Sequence, residues 1–114
     1  MKIAILGTGA IGGVLAGCLS DTSADLVCVS RGRTARELLE GLTIFTPEGS
    51  VEMIPGERFE IVDSEKGPLD ERVCGTCDVA IVSGKSGSTP QLASMAEDLV
   101  KQDACVISIQ NGLG

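Results

Sequence analysis

IAILGTGAIGG, residues 3–13, is the stretch that decides the fold of this chain. Its first four residues are apolar, include two isoleucines and lead into a glycine, which favours a short buried strand over a helix. Gly7, Gly9 and Gly12 then fit the spacing G-x-G-x-x-G. In that motif the first glycine permits a tight turn and the second lets a pyrophosphate approach the backbone. The third lets the following helix pack closely on the strand.

A helix that begins near Ala10 would direct its free N–H groups, and the positive end of its dipole, at the phosphates. Fifteen glycines in 114 residues also make a chance match conceivable, with a purely structural turn as the alternative. The position of the motif between a strand and a helix favours dinucleotide binding. The predicted phosphate-binding residues are Gly7, Thr8, Gly9, Ala10, Ile11 and Gly12.

The length and composition indicate one cytoplasmic α/β domain that binds neither nucleic acid nor a membrane. A chain of 114 residues has the size of a single domain. Nine basic and sixteen acidic residues give a net charge of −7, which disfavours contact with nucleic-acid phosphates. No apolar run is long enough to span a bilayer, and the charge and glycine pattern of the N-terminus is not that of a signal peptide. A hydrophobic content of 43% suggests that some apolar surface contacts a partner or a second domain.

The five cysteines are expected to be reduced, because their number is odd and the glycine-rich pattern is that of an α/β domain. Cys18, Cys28 and Cys105 lie in apolar runs and are predicted to be core residues. Cys74 and Cys77 form a C-x-x-C, but the chain has no histidine and no second pair for zinc. A thioredoxin-type pair would precede a helix, whereas this one precedes a strand. We therefore expect no metal and interpret the pair as loop cysteines without a redox role.

The end of the second predicted strand indicates which cofactor is bound. A helix over Ala10–Leu19 and a buried strand over Leu26–Ser30 complete a right-handed βαβ unit. NAD-binding domains usually place an acid at the end of that strand, but this chain has Arg31 there, with Arg33 and Arg36 following. A guanidinium can bind a 2′-phosphate through two parallel hydrogen bonds. The alternative is that these arginines only belong to a solvated helix start, but cations are disfavoured at the N-terminus of a helix. A bound anion explains them better, so the pattern predicts NADP over NAD.

The middle of the chain is predicted to be an edge excursion of the sheet. Residues 34–37 fit a capping box for a short helix over 35–40 that ends at Gly41. Eight of the sixteen acids lie between Glu48 and Glu71 without a ligand spacing, which predicts a solvated face. Residues 66–75 are expected to form an irregular loop. Three short strands are expected before it, over 42–46, 51–54 and 59–62.

The last third of the chain repeats the pattern of strand, loop, helix and strand. Buried strands are predicted over 78–83 and 104–109, with an amphipathic helix that begins at Thr89-Pro90 between them. The sequence 84–86 resembles the end of a P-loop, but Val79 stands where its first glycine would be. The fold class is therefore α/β, a Rossmann-like, doubly wound and mainly parallel sheet. Its expected strand order is 3-2-1-4-5, with the glycine loop, Lys85 and Asn111 along one edge.

Taken together, these motifs resemble the ketopantoate reductase (2-dehydropantoate 2-reductase) family. The matching pieces run in the family's order through the whole chain: residues 2–12, Ser30-Arg31-Gly32, residues 41–44, Lys85 and residues 110–114, QNGLG. The resemblance implies reduction of ketopantoate to pantoate with NADPH, on the route to pantothenate and coenzyme A. It also implies that Arg31 meets the 2′-phosphate, that Lys85 binds the cofactor, and that Asn111 lies near nicotinamide and substrate.

The chain departs from the family pattern in two places. Many members follow the lysine with a small residue, an aromatic residue and glutamine, whereas Ser86-Gly87-Ser88 stands here. Family members also carry a second, helical domain, which supplies the catalytic lysine that acts as general acid. The resemblance therefore implies that residues 1–114 are an N-terminal NADP-binding domain, without a catalytic residue of their own and inactive alone.

Three functions stay open from the sequence. The first is the NADPH-binding part of a ketopantoate reductase, with hydride transfer to a 2-keto group and a protein acid as proton donor. The second is a reductase for another 2-keto acid, because a fold does not determine a substrate. The third is a non-catalytic NADP-binding module. An apolar face left by a missing domain would favour self-association as a homodimer.

Overall fold

The computed structural model describes residues 1–7, 10–45, 47–66, 71–83 and 89–109, with the backbone alone at 10–13 and 89–90. Two short 3₁₀ turns, Gly56–Arg58 and Ser64–Lys66, lie immediately before and after the strand Phe59–Asp63. The longer elements of this part of the chain, in order, are β1 (Lys2–Leu6), α1 (Ala10–Ser20), β2 (Asp25–Ser30), α2 (Gly32–Glu40), β3 (Leu42–Phe45), β4 (Val51–Ile54), β5 (Phe59–Asp63), β6 (Cys77–Val82), α3 (Thr89–Leu99) and β7 (Val100–Ser108).

Five of these strands form the main sheet, in the order β5-β2-β1-β6-β7. Every neighbouring pair is parallel, and Ile5 in β1 lies between Cys28 in β2 and Ile81 in β6. Numbered along the chain within this sheet, the order is the expected 3-2-1-4-5, with β1 at the centre. The prediction of a Rossmann-like, doubly wound sheet is therefore confirmed.

The core lies on both faces of this sheet, because side chains alternate along each strand. On one face Ile3 and Ile5 join a cluster that includes Ala16 of α1 and Leu38 of α2. On the other face Ala4 and Leu6 join a cluster that includes Leu99 of α3. Strands that are covered on both faces have apolar residues at nearly every position. This is why β1 and β2 are recognisable in the sequence.

Helix α2 begins earlier than predicted. The capping-box interpretation placed its start at residue 35, but the helix begins at Gly32, and Arg31 is its N-cap without a side-chain cap hydrogen bond. Thr34 lies inside the first turn, where its N–H donates to the Arg31 carbonyl oxygen at 3.1 Å. The positive φ of Gly32 (48°) allows the chain to turn directly from β2 into the helix, so no separate cap is needed.

The prediction that the middle section is an excursion of the main sheet is correct for only one of its three strands. β5 joins the main sheet beside β2, whereas β3 and β4 pair antiparallel with each other as a separate two-stranded sheet. This hairpin exposes Phe45, Val51 and Met53. Its Ile44 packs against α1 at Gly17, where any Cβ would collide with the isoleucine side chain.

The prediction that β7 is a buried strand is wrong. β7 is last in the strand order, and Val106 and Ile107 are 40% and 43% exposed. Cys105, predicted to be a core residue, is exposed on it, and Cys18 is exposed on α1. Cys28 is buried as predicted, because β2 is an inner strand covered on both faces. An apolar run shows that a strand forms but not whether both of its faces are covered.

All five cysteines are free thiols, as the sequence predicted. Cys77 is buried as the first residue of β6, so only Cys74 of the C-x-x-C pair is a loop residue. None of the helices in the described ranges has the length and apolar composition needed to cross a bilayer.

Candidate functional site

The carboxyl ends of the parallel strands meet along one edge of the main sheet, and open α/β sheets bind ligands at that edge. We call it the carboxyl edge. Neighbouring strands place their last residues side by side there, since Ser30 of β2 pairs with Asp63 of β5. The residues that end or follow β5, β2, β1 and β6 along it are Asp63, Arg31, Gly7 and Ser83.

Gly7 forms the turn by which the chain leaves β1. Its φ of 85° lies in the left-handed region that favours glycine, so a residue without Cβ fits this position best. Its N–H donates to the Val29 carbonyl oxygen at 2.9 Å, which ties the turn to β2. On the other side, the Ser83 hydroxyl donates to the Gly7 carbonyl oxygen at 2.6 Å. Gly7 is therefore tied to both neighbouring strands.

The predicted phosphate-binding residues divide into two groups. Helix α1 begins at Ala10, so Ala10, Ile11 and Gly12 lie in its first turn, at the carboxyl edge. Thr8 and Gly9 lie outside the described residues, as do Lys85 and Asn111. What the structure shows is Gly7 with a positive φ after β1 and a helix N-terminus at Ala10, whose free N–H groups suit a pyrophosphate.

Arg31 directly follows β2 and has an extended backbone (φ −115°, ψ 133°). Its guanidinium Nη2 lies 3.7 Å from Glu65 Oε1, and the two side chains are 66% and 54% exposed. An ion pair as exposed as this one contributes at most about 1 kcal/mol to stability. Arg31 is therefore a solvent-accessible cation beside the glycine turn, held only weakly by its present partner.

Asp63 connects the turns that follow β2 and β5. Its Oδ1 accepts hydrogen bonds from the Gly32 N–H at 3.0 Å and from the Glu65 N–H at 2.9 Å. The Glu65 carboxylate lies directly over Gly32, where a Cβ would come within 2.6 Å of Oε2. Two carboxylates of the acid-rich stretch that we expected to be a solvated face, those of Asp63 and Glu65, thus lie at the start of α2.

Sequence reasoning missed Ser83, Asp63 and Glu65 as residues of this edge. Ser83 ends the predicted strand 78–83, and Asp63 immediately follows the predicted strand 59–62. The rule that polar residues at the carboxyl ends of parallel strands meet at one edge could have identified both. Glu65 had no such signal, because its contact with Arg31 depends on which strand becomes the neighbour of β2.

A cleft at the opposite, amino end of the sheet is a weaker candidate. It has a volume of about 310 Å³ and is lined by residues that include Lys2, Asp25 and Arg58. Its cations already have protein partners: Arg58 donates to three carbonyl oxygens at the end of α1 and in the next loop, and Lys2 Nζ lies 3.6 Å from Glu60 Oε2. The cleft therefore offers little positive charge to an anionic ligand.

Three described residues that lie inside the sheet or at its amino end, Cys28, Cys77 and Asp78, have shifted pKa values. Burial raises the pKa of the Cys28 thiol to about 12, and burial also raises that of Cys77. The pKa of Asp78 is lowered, first by the hydrogen bond from the Lys2 N–H at 2.8 Å and then by Lys101 at 3.0 Å. These shifts have structural causes, so they do not mark a site of proton transfer.

Metal ligands do not cluster in the described ranges: no three side chains among histidine, cysteine, aspartate and glutamate come together in a group that could hold an ion. The arrangement at the carboxyl edge is instead that of an anion site, with a glycine turn, a helix N-terminus and an arginine on adjacent strands. A ligand with two separate phosphate groups would match it.

Comparison with known families and proteins agrees with this geometry. The family model described as ketopantoate reductase PanE/ApbA matches residues 3–114. A curated relative, the 2-dehydropantoate 2-reductase of Pyrococcus horikoshii, is 31% identical over 121 aligned positions, which cover 100% of this chain and 34% of the relative. The chain thus spans about a third of the length of that relative.

Solved structures share the fold. A PanE/ApbA family ketopantoate reductase from Ralstonia eutropha superposes with a TM-score of 0.77 at 24% identity, over 99% of this chain and 35% of that one. A D-mandelate dehydrogenase, solved in a ternary structure with NADH and anilino(oxo)acetate, superposes with a TM-score of 0.78 at 22% identity, over 100% of this chain and 34% of that one.

Proposed function

The chain belongs to the ketopantoate reductase PanE/ApbA family, and on that premise we propose that it forms the NADPH-binding part of a 2-dehydropantoate 2-reductase-like enzyme. One observation supports this most directly: Arg31 follows β2 immediately, on the strand next to the Gly7 turn. In a dinucleotide-binding sheet this is the position that contacts the ribose 2′ substituent. A guanidinium there favours a phosphate over a hydroxyl.

Three of the described residues at the carboxyl edge, Gly7, Arg31 and Ser83, have a role in this proposal. The Gly7 turn and the first turn of α1 bind the pyrophosphate, and Ser83 holds the turn in place through the Gly7 carbonyl oxygen. Arg31 binds the 2′-phosphate. Lys85 is proposed to contact the cofactor, and Asn111 to lie near the nicotinamide and the substrate. When bound, NADPH would supply the hydride that reduces a 2-keto group.

The proton donor is proposed to come from outside these residues. The resemblance assigns it to a lysine of a second, helical domain, and this chain spans about a third of its curated relative. Ketopantoate is the substrate that the family indicates, with another 2-keto acid as the alternative. A homodimer also stays a prediction, supported by the apolar side chains that Phe45, Val51 and Met53 expose on the β3–β4 hairpin.

Titration of the 114-residue chain with NADPH and with NADH tests the proposal. We expect NADPH to bind about tenfold more tightly or better, because one charge-assisted contact to the 2′-phosphate contributes roughly 1.5–3 kcal/mol. Isothermal calorimetry in the same buffer measures both dissociation constants. Equal affinities, or tighter binding of NADH, would contradict the assignment of Arg31 to the 2′-phosphate.

A further inference from the structure

Glu65 already holds the Arg31 side chain that the proposed function assigns to the cofactor. Its Oε1 lies 3.7 Å from the Arg31 guanidinium, and its other oxygen lies over Gly32 at the start of α2. The carboxylate is therefore beside both groups that would attract a phosphate here, a cation and a helix N-terminus. Anions are stabilised at such an end of a helix.

The backbone keeps Glu65 in this place. Its N–H donates to Asp63 Oδ1, the same atom that accepts from the Gly32 N–H. Asp63 is thus fixed between the turn that carries Glu65 and the turn that carries Arg31. The turn Ser64–Lys66 therefore holds the Glu65 backbone beside the start of α2.

We propose that Glu65 is a specificity-determining residue, whose carboxylate competes with a 2′-phosphate for Arg31 and so reduces the preference for NADP over NAD. This inference rests on the proposed function, in which Arg31 binds that phosphate. NADP would have to displace Glu65 from Arg31, and the displaced carboxylate would still repel the phosphate dianion. NAD carries no 2′-phosphate, so the pair stays intact when NAD binds.

The exposure of both side chains determines how large the effect can be. The pair is more than half exposed, so solvent and salt weaken it. Breaking such a pair costs at most about fivefold in affinity, and repulsion of the phosphate adds to that. Removal of the Glu65 charge is therefore expected to tighten binding of a 2′-phosphorylated ligand by about three- to tenfold.

The substitution Glu65→Gln removes the charge, keeps the shape and leaves the Asp63 contact with the backbone N–H. The probes are 2′,5′-ADP and 5′-AMP, which differ by the 2′-phosphate alone. We expect E65Q to bind 2′,5′-ADP about three- to tenfold more tightly at low salt and 5′-AMP with unchanged affinity. The gain should shrink in about 0.5 M salt, because exposed charges are then screened. An unchanged melting temperature shows that the variant is folded.

Glu37→Gln is the matched control. Glu37 is also exposed and also pairs with an arginine, its Oε1 lying 2.9 Å from Arg33 Nε on α2. E37Q removes the same charge from the same region but leaves the pair of Arg31 and Glu65 intact. It should therefore leave 2′,5′-ADP affinity within about twofold. An equal gain in both variants would show a general charge effect and overturn the role of Glu65, as would no gain in E65Q.

The proposed function and this inference fail in different ways. If Arg31→Ala weakens binding of 2′,5′-ADP while E65Q leaves it unchanged, Arg31 binds the phosphate and the Glu65 proposal is wrong. If Arg31→Ala leaves the affinity for 2′,5′-ADP unchanged, the NADP assignment is wrong, and so is the proposal that Glu65 competes with the 2′-phosphate. A gain in E65Q together with a loss in Arg31→Ala supports both.

Discussion

Replacement of Arg31 by alanine is expected to weaken NADPH binding about ten- to hundredfold and to leave NADH binding almost unchanged. The guanidinium is an accessible cation at the carboxyl end of β2, and its charge favours a 2′-phosphate over a 2′-hydroxyl. The loss should exceed that of a simple contact, because Glu65 would remain beside the phosphate without its partner. Calorimetric titration of both cofactors measures the two effects in the same preparation.

Arg33→Ala is the control for that experiment. Arg33 is the second residue of the same helix, 85% exposed and paired with Glu37, so its loss removes the same charge from a position two residues farther along the chain. We expect less than about a threefold change in NADPH affinity for this variant. An Arg31→Ala variant that loses NADPH and NADH binding equally would show that Arg31 supports the fold of the site, and the 2′-phosphate assignment would be wrong.

The second large effect is expected in catalysis. The 114 residues, produced as they stand, should bind NADPH but not reduce ketopantoate at a measurable rate. Asn111 can orient a carbonyl, but an amide cannot act as a general acid, and the resemblance places Lys85 at the cofactor. Loss of a positioned acid typically reduces a rate by about 10²–10⁴. Loss of the surface that positions the substrate costs more, since effective molarities reach about 10⁵ M or above.

The loss of NADPH absorbance with excess ketopantoate measures this rate. Its control is the same assay with a full-length family reductase, which must show turnover under identical conditions. Turnover of about 1 s⁻¹ or more by the 114-residue chain, abolished in Lys85→Ala, would contradict the expectation. It would make Lys85 the proton donor and place the whole reaction within these residues.

The main sheet was predictable because its evidence is local. β1, β2 and β6 are inner strands, so each is an apolar run that a glycine or a short polar segment ends. The rule of right-handed crossovers then leaves few orders for parallel strands joined by helices. The Gly7 turn was predictable for a similar reason. A glycine directly after an apolar strand indicates a turn with a positive φ, and the φ of Gly7 is 85°.

Features that depend on distant contacts were not predictable in this way. The pairing of Arg31 with Glu65 requires β5 to lie beside β2, although β3 and β4 look equally strand-like in the sequence. The exposure of Cys105 follows from the place of β7 at the end of the strand order and not from its own apolar neighbours. Local capping rules likewise predicted that α2 starts at residue 35. The helix starts at Gly32 instead, where a positive φ lets the chain turn directly out of β2.

Binding of a dinucleotide at the carboxyl edge can be tested by mapping backbone amide chemical shifts on addition of NADPH. We expect the largest shifts at Gly7, Gly32, Glu65 and Ser83, which follow four neighbouring parallel strands. NADH should shift Gly7 and Ser83 similarly but Gly32 and Glu65 less, because it has no 2′-phosphate. Shifts centred instead on Lys2, Asp25 and Phe59, in the cleft at the amino end of the sheet, would show that the dinucleotide does not bind at the carboxyl edge.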